Sequence, residues 1–177
     1  EEHVEVRLNG SPIRVARDAV TYIDVAPEQP FSIATSMIPF LEHDDANRAL
    51  MGSNMQKQAT PCIIPEAPLV GTGIEARAAR DTGRLHLAKE DGTVTAADGK
   101  KVVVKNSKGK EAEYPLVNFV RTNGFTALHQ RPTVEVGQKV KKGDLLADSS
   151  STDGGQLALG QNALVAFMCW SGANYED

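Results

Sequence analysis

Hydrophobic and polar positions alternate with period two at the start of the chain: Val4, Val6 and Leu8 interleave with His3, Glu5 and Arg7. Asn9-Gly10 follows, then Pro12-Ile13-Arg14-Val15-Ala16. Asn-Gly supplies the two left-handed residues of a tight turn, so this pattern predicts an antiparallel hairpin. Val20 to Val25 predicts a third short strand, stopped near Pro27 where an amide donor is lost. Beyond residue 31 the period changes. Ile33, Met37, Phe40 and Leu41 recur at helical spacing, with Pro39 as a kink. Asp44 or Asp45 can cap a helix over 46–58. On that helix Asn47, Met51, Asn54 and Gln58 share one face, while Ala46, Ala49, Leu50, Ser53 and Lys57 lie elsewhere around it. Gly52 inside the helix costs about 1 kcal/mol relative to alanine. Either another backbone approaches closely there, or tertiary packing simply carries the glycine.

Pro61, Pro65 and Pro68, then Gly71-Thr72-Gly73, predict an extended, turn-rich connector. From 76 to 150 the chain reads as short strands between turns. Gly92 to Ala96 and Lys101 to Lys105 flank Asp98-Gly99, with Lys108-Gly109 as the next turn. Residues 98–113 carry both charge signs, the pattern of a solvated hairpin or edge. Gly137 and Gly143 bracket one alternating strand within 134–147, a spacing that looks like the hairpin of barrel–sandwich hybrid folds. Ser149 to Gly155 reads as a polar, flexible loop, and Gln156 to Trp170 as an apolar strand-like return. The expected fold is mostly β with a short α-helical segment, in the α+β class. Its parts are a lead-in hairpin (1–30), a helical segment and connector (31–75), a barrel or sandwich-hybrid-like β region (76–150) and a loop with a return strand (151–177).

Length and charge narrow the picture. At 177 residues the chain fits one domain or two small ones, and 41% hydrophobic with 24% charged residues argues against global disorder. The formal net charge is −4, so a role with nucleic acid must be local or shared with partner surfaces. Aromatics at 5% disfavour a stacking platform for single strands. Cys62 and Cys169 form no CxxC pair, which excludes a zinc ribbon, and two unpatterned cysteines suit a reducing cytosol. The longest apolar run, Ala163 to Trp170, is too short for a membrane span, which needs about 20 residues. The first residues are not a signal peptide. A start at glutamate and an end just after an apolar run suggest a segment of something longer.

Candidate chemistry is sparse. Glu42, Asp44 and Asp45 cluster beside His43 as a metal site or a capping turn, and capping is favoured because aspartate at a helix start satisfies orphan amides. Adjacent carboxylates Glu176 and Asp177 would face opposite ways on a strand but could jointly assist a magnesium ion if the backbone turns. His3, His43, His86 and His129 share no ligand spacing, and no phosphate-binding glycine loop or catalytic triad motif is present. Arg48, read alone, is a helix-surface arginine paired with Glu42 or Asp45, worth about 0–1 kcal/mol.

One stretch is far more specific. Ser36 to Gln56, with PFLEHDDANRALMGSNMQ at its centre, closely resembles the β subunit of bacterial DNA-directed RNA polymerase. The resemblance continues through Ala67 to Gly73, Gly143 to Asp148, Ser151-Thr152-Asp153, Gly155 to Asn162, and Ala166 to Asp177, spanning about 20–177. Residues 84–133 match loosely, as a surface-facing β region would.

The resemblance implies a segment that lines the main channel near the active centre of a nucleotidyltransferase, inactive in isolation, in a subunit that includes a discontinuous double-psi barrel. It implies that Arg48 meets the phosphates of the incoming nucleotide, flanked by Asp45 and Asn47. Asn54, Lys57 and Gln58 fall near the RNA end and the hybrid; Lys57 stands where arginine is commoner, which keeps charge but loses the bidentate fork. Glu176 and Asp177 match the acidic pair near the second, nucleotide-carried magnesium. The principal magnesium belongs to an aspartate motif on the β′ subunit, which nothing in this chain matches. Implied partners are the β′ and α subunits, sigma factor, DNA template, RNA transcript and nucleoside triphosphates, with no membrane, in a cytoplasmic, nucleoid-associated enzyme. Two other readings stand beside this one. The β region could instead dock a subunit or transcription factor, or the chain could be a structural scaffold.

Overall fold

The computed structural model describes residues 2–177. They form two compact units, one ending at Ser32 and the other running from Ile33 to Asp177.

In the first unit, β1 (His3–Leu8) pairs antiparallel with β2 (Ser11–Ala16), His3 opposite Ala16 and Leu8 opposite Ser11. Asn9 and Gly10 both take positive φ (50° and 85°), the geometry that Asn-Gly favours because it matches the strand twist. The expected third strand is absent. A 3-10 turn, Arg17–Ala19, follows β2, and Tyr22, Ile23 and Val25 are more than nine-tenths exposed. Three apolar residues in a row of β-formers lack any ladder partner here, and propensity alone does not make a strand.

The second unit opens with α1 (Ile33–Ser36), one turn long. Pro39 ends the helical run instead of kinking it, and Phe40 beyond it is left-handed (φ 54°). α2 (Ala46–Gln56) and α3 (Glu75–Asp81) are the longer helices. The rest is β: β3 (His86–Leu87), β4 (Gly92–Ala97), β5 (Lys101–Lys105), β6 (Glu111–Pro115), β7 (Val120–Arg121), β8 (Ala127–Leu128), β9 (Arg131–Pro132), β10 (Lys139–Val140), β11 (Leu145–Asp148), β12 (Thr152–Asp153) and β13 (Gln156–Leu157). The chain is thus mostly β with a few short helices, as its pattern predicts.

The central sheet runs β10-β4-β5-β6, and a second runs β3-β11-β9. Val94, Val102, Val104, Tyr114, Val140 and Leu146 from these strands form the core. Residues 84–133 therefore supply part of the interior as well as surface: Val102, Val103 and Val104 are buried, while Phe119, Val120 and Phe125 are exposed. Charge sits at the margin, where Lys101 meets Glu113 across β5–β6 at 3.2 Å and Asp98 closes the β4–β5 turn by accepting the Lys100 and Lys101 amides at 2.7 and 2.8 Å. Those two backbone hydrogen bonds hold the Asp98 carboxyl below its ordinary range.

The strand expected between Gly137 and Gly143 shrinks to two residues, β10, with both glycines at positive φ (91° and 94°). The expected flexible loop after it is pinned. Asp148, only 5% exposed, accepts the Thr152 hydroxyl at 3.1 Å and the Gly154 and Gly155 amides at 2.9 and 3.0 Å. The apolar return is a further difference. Only β13 is a strand, and Leu164 and Phe167 are fully exposed. Periodicity reports which side chains are apolar, not which surface covers them.

Candidate functional site

The candidate residues are carried by α2 and by the last turn of the chain. α2 begins where Asp45, in extended backbone, accepts the Asn47 amide at 3.0 Å, one of the four donors that a helix start leaves orphaned. Of the two aspartates considered, Asp45 is the cap. The helix stops two residues earlier than the pattern predicts. The Lys57 amide reaches Asn54 and the Gln58 amide reaches Met55 at 3.0 Å, so the end tightens into i→i+3 bonds. Gln58 consequently leaves the helical face shared by Asn47, Met51 and Asn54.

The inner face of α2 is Ala49, Gly52, Ser53 and Gln56, at i, i+3, i+4 and i+7. It holds no large apolar residue. Ser53 is the buried residue of the helix, its hydroxyl donating to the Leu50 carbonyl at 2.9 Å. Gln56 Nε2 donates to the Ala34 carbonyl at 2.9 Å and ties α2 to α1. Gly52 faces Ile38 with room: a Cβ there would stand 3.6 Å from Ile38 Cδ1, an ordinary contact. No close backbone approach demands the glycine, so packing carries it.

Everything else on α2 points outward. Asp45, Asn47, Arg48, Asn54, Lys57 and Gln58 are all exposed, as are Leu50, Met51 and Met55. Arg48 is not paired with Glu42 or Asp45. Glu42 faces His43 at 3.8 Å, Asp45 is occupied by capping, and Arg48 Nη1 donates to Met51 Sδ at 3.7 Å. Its guanidinium carries no carboxylate among the described residues.

Glu176 and Asp177 lie where the backbone turns. The Ala173 amide donates to the Trp170 carbonyl at 2.9 Å, the Asp177 amide donates to the Asn174 carbonyl at 3.1 Å, and Asn174 Oδ1 accepts the Trp170 amide. Tyr175 donates its hydroxyl to Glu176 Oε1 at 3.3 Å. Both acidic residues are exposed. No hydrogen bond or ion pair joins them to the α2 candidates among the described residues. Nor do the described residues bring three His, Cys, Asp or Glu side chains together as a metal site. Two exposed carboxylates can supply part of a magnesium shell and need ligands from elsewhere to complete an octahedron.

Residues that pattern reading passed over knit the connector to the return segment. Glu66 and Gly160 form an isolated antiparallel bridge. Asn162 donates its amide and Nδ2 to Glu66 Oε2 at 3.0 and 3.3 Å, gives Nδ2 to the Ala67 carbonyl at 3.0 Å, and accepts the Leu69 amide at 3.2 Å. Partners more than ninety residues apart leave no local signal. Glu75 does leave one. Thr72-x-x-Glu75 has capping-box spacing, and Glu75 accepts the Thr72 amide at 2.7 Å, the Thr72 hydroxyl at 3.1 Å and the Gly73 amide at 2.8 Å. Burial pushes its carboxyl up, but these hydrogen bonds together outweigh burial and hold it below the ordinary glutamate value. A cleft of about 250 Å³ opens between Gln56, the connector and residues 157–162.

The chain is similar to proteins named DNA-directed RNA polymerase subunit beta. It is 58% identical to that of Chloroflexus aggregans over 160 residues, 90% of this chain and 13% of the relative. It is 54% identical to that of Thermus thermophilus over 176 residues, 99% of this chain and 16% of the relative. It is 58% identical to that of Guillardia theta over 158 residues, 89% and 14% respectively. The chain therefore spans about one-sixth or less of the length of these curated relatives. A family model described as RNA polymerase Rpb2, domain 6, matches residues 87–177, including most of the stretch 84–133 that the motif comparison matches only loosely. Matched over more than half of its length, the chain belongs to the RNA polymerase Rpb2, domain 6, family, represented among its relatives by the β subunit of DNA-directed RNA polymerase.

Proposed function

We propose that this chain is an internal segment of the β subunit of a bacterial DNA-directed RNA polymerase and lines the main channel beside the active centre. There α2 helps to position the incoming nucleoside triphosphate and the RNA–DNA hybrid. The observation that carries this reading is the state of Arg48. It projects from a capped helix, exposed and without a carboxylate partner among the described residues. Phosphoryl transfer depends mainly on positioning and charge stabilisation, and a guanidinium not already neutralised can bind phosphate oxygens through two parallel hydrogen bonds.

In this reading Asp45 and Asn47 flank the phosphate contact. Asp45 fixes the helix start and Asn47 offers a neutral amide. Asn54 and Lys57 lie toward the RNA end, and Gln58, beyond the helix, reaches the hybrid from the turn. Glu176 and Asp177 draw the second magnesium through their charge while the principal ion is held by the β′ subunit. The magnesium would supply charge neutralisation at the triphosphate. The segment would complete part of a double-psi barrel only together with other pieces of the subunit, and its partners would be β′, α, sigma factor, template DNA and transcript. The net charge of −4 is compatible with a positive channel completed by those other surfaces.

Arg48→Ala in the complete enzyme tests this. Nucleotide KM should rise and elongation at subsaturating nucleotide should slow by about ten- to a hundredfold, the loss of one charge-assisted phosphate contact. An unchanged KM and elongation rate would overturn the assignment.

A further inference from the structure

Asn-Gly occurs twice in the chain, at 9–10 and at 123–124. The pair is chemically reactive, because glycine has no Cβ to shield its amide nitrogen from the asparagine side-chain carbonyl carbon. Whether it reacts in a folded protein depends on how free the two groups are and how readily the backbone leaves its turn. At 9–10 the turn suits its sequence. Both residues are left-handed, as a two-residue hairpin turn demands, and six residue pairs of β1 and β2 hold it closed. At 123–124 the balance is different. The ladder of β7 and β8 has two residue pairs, and the turn closes through the Phe125 amide on the Thr122 carbonyl at 3.0 Å and the Thr122 amide on the Thr126 carbonyl at 2.8 Å. Phe125 is left-handed (φ 63°), a strained backbone for a bulky residue, so opening the turn relaxes it and part of the cost of opening is returned. Asn123 and Gly124 are both exposed, and neither the Asn123 side chain nor the Gly124 amide makes a hydrogen bond among the described residues. Asn106 shows the opposite state, with Oδ1 accepting the Lys108 and Lys110 amides and Nδ2 donating to Glu90.

We propose that Asn123 is a site of spontaneous deamidation, converted through a cyclic imide to aspartate and isoaspartate. The Gly124 nitrogen attacks Asn123 Cγ and forms the new N–Cγ bond. The bond from Cγ to Nδ2 breaks, the glycine amide proton passes through solvent to the departing nitrogen, and ammonia leaves. Water then adds to one of the two carbonyls of the five-membered ring. Opening at the side-chain carbonyl leaves aspartate, and opening at the backbone carbonyl leaves isoaspartate. Either product sets a new carboxylate two residues from Arg121, whose guanidinium lies 4.4 Å from the centre of the Phe125 ring. Isoaspartate also lengthens the backbone by one methylene inside the turn, so the Phe125 amide loses its register with the Thr122 carbonyl. The modification therefore loosens the hairpin that presents Phe119, Val120 and Phe125 at the surface. It is independent of the nucleotide reading, since none of these residues is on α2 or in the last turn.

The test uses the complete polypeptide carrying these residues, purified in its complex and aged in mildly alkaline buffer made with heavy-oxygen water. Peptide mass spectrometry should find Asn123 converted to acid with one heavy oxygen incorporated, in separable aspartate and isoaspartate forms, at least about tenfold faster than Asn9. Gly124→Ala should slow the conversion at least about tenfold by shielding the attacking nitrogen. Alanine fits there, because Gly124 is not left-handed and its added Cβ would stand 3.8 Å from Thr122 Oγ1. Asn123→Gln, which keeps the amide but would need a larger ring, should abolish the product and serves as a second variant. The proposal fails if Asn123 survives ageing in the assembled complex, if Asn9 reacts as fast, if Gly124→Ala leaves the rate unchanged, or if the product carries no heavy oxygen.

Discussion

Gly52→Ala separates two accounts of the glycine in α2. If another backbone needed the space, a methyl group there would be costly. The structure gives the opposite sign: the added Cβ would lie 3.6 Å from Ile38 Cδ1, an ordinary van der Waals contact with a flexible side-chain end. Replacing glycine by alanine within a helix is worth about 0.8–1.0 kcal/mol. The position is half-buried, so the methyl adds at most a part of the roughly 0.8 kcal/mol of a fully buried CH₂. The sum is close to 1 kcal/mol in favour of the helix, which corresponds to about fivefold slower amide exchange through local opening. Hydrogen exchange at Leu50 to Met55 reads this directly. Because Gly52 lies on the inner face and Arg48 and Asn54 point away from it, nucleotide KM in the complete enzyme should stay unchanged. Faster exchange would refute the packing argument, and normal exchange with impaired nucleotide binding would mean that another chain approaches the helix at Gly52.

The remaining predictions address the cap, the connector and the sheet. Asp45→Ala should destabilise α2 by about 1 kcal/mol while Asp45→Asn leaves it nearly unchanged, since asparagine caps as well as aspartate; circular dichroism and exchange at Asn47 to Leu50 check both. Glu75 has a folded pKa below its ordinary 4.5, so its contribution is complete above about pH 4.5 and is lost as pH falls through the lower folded value. Denaturant midpoints of Glu75→Gln should therefore lie below wild type at pH 7 and converge with it in acid. Gly92→Ala should cost about 2–3 kcal/mol, because its Cβ would stand 2.6 Å from the Lys105 carbonyl and force β4 away from β5; a urea midpoint equal to wild type would contradict this.

What the sequence disclosed depended on whether the determining interaction was local. Asn9-Gly10, Asp98-Gly99 and the Asp45 cap act within a few residues, and each feature stands where the pattern put it. The polar loop is pinned by a carboxylate four to seven residues away that carries no turn signature, and the connector and return segment join through partners more than ninety residues apart. The pattern cannot know that Asp148 gathers Thr152, Gly154 and Gly155 around a buried carboxylate, and so turns a stretch of loop-forming residues into a pinned corner. The candidates on α2 have a different source. Their signal was kinship in a specific run, and spacing and composition did not point to them.

That division also explains the unusual build of α2. A surface helix ordinarily buries a stripe of large apolar residues, and the hydrophobic gain holds it in place. Here the inner stripe is Ala49, Gly52, Ser53 and Gln56, and Gln56 ties the helix to α1 through a side-chain hydrogen bond to the Ala34 carbonyl. Leu50, Met51 and Met55 are left on the outside together with Asn47, Arg48 and Asn54. A helix with its larger side chains outward has little to gain from this chain alone and much from a surface laid against it.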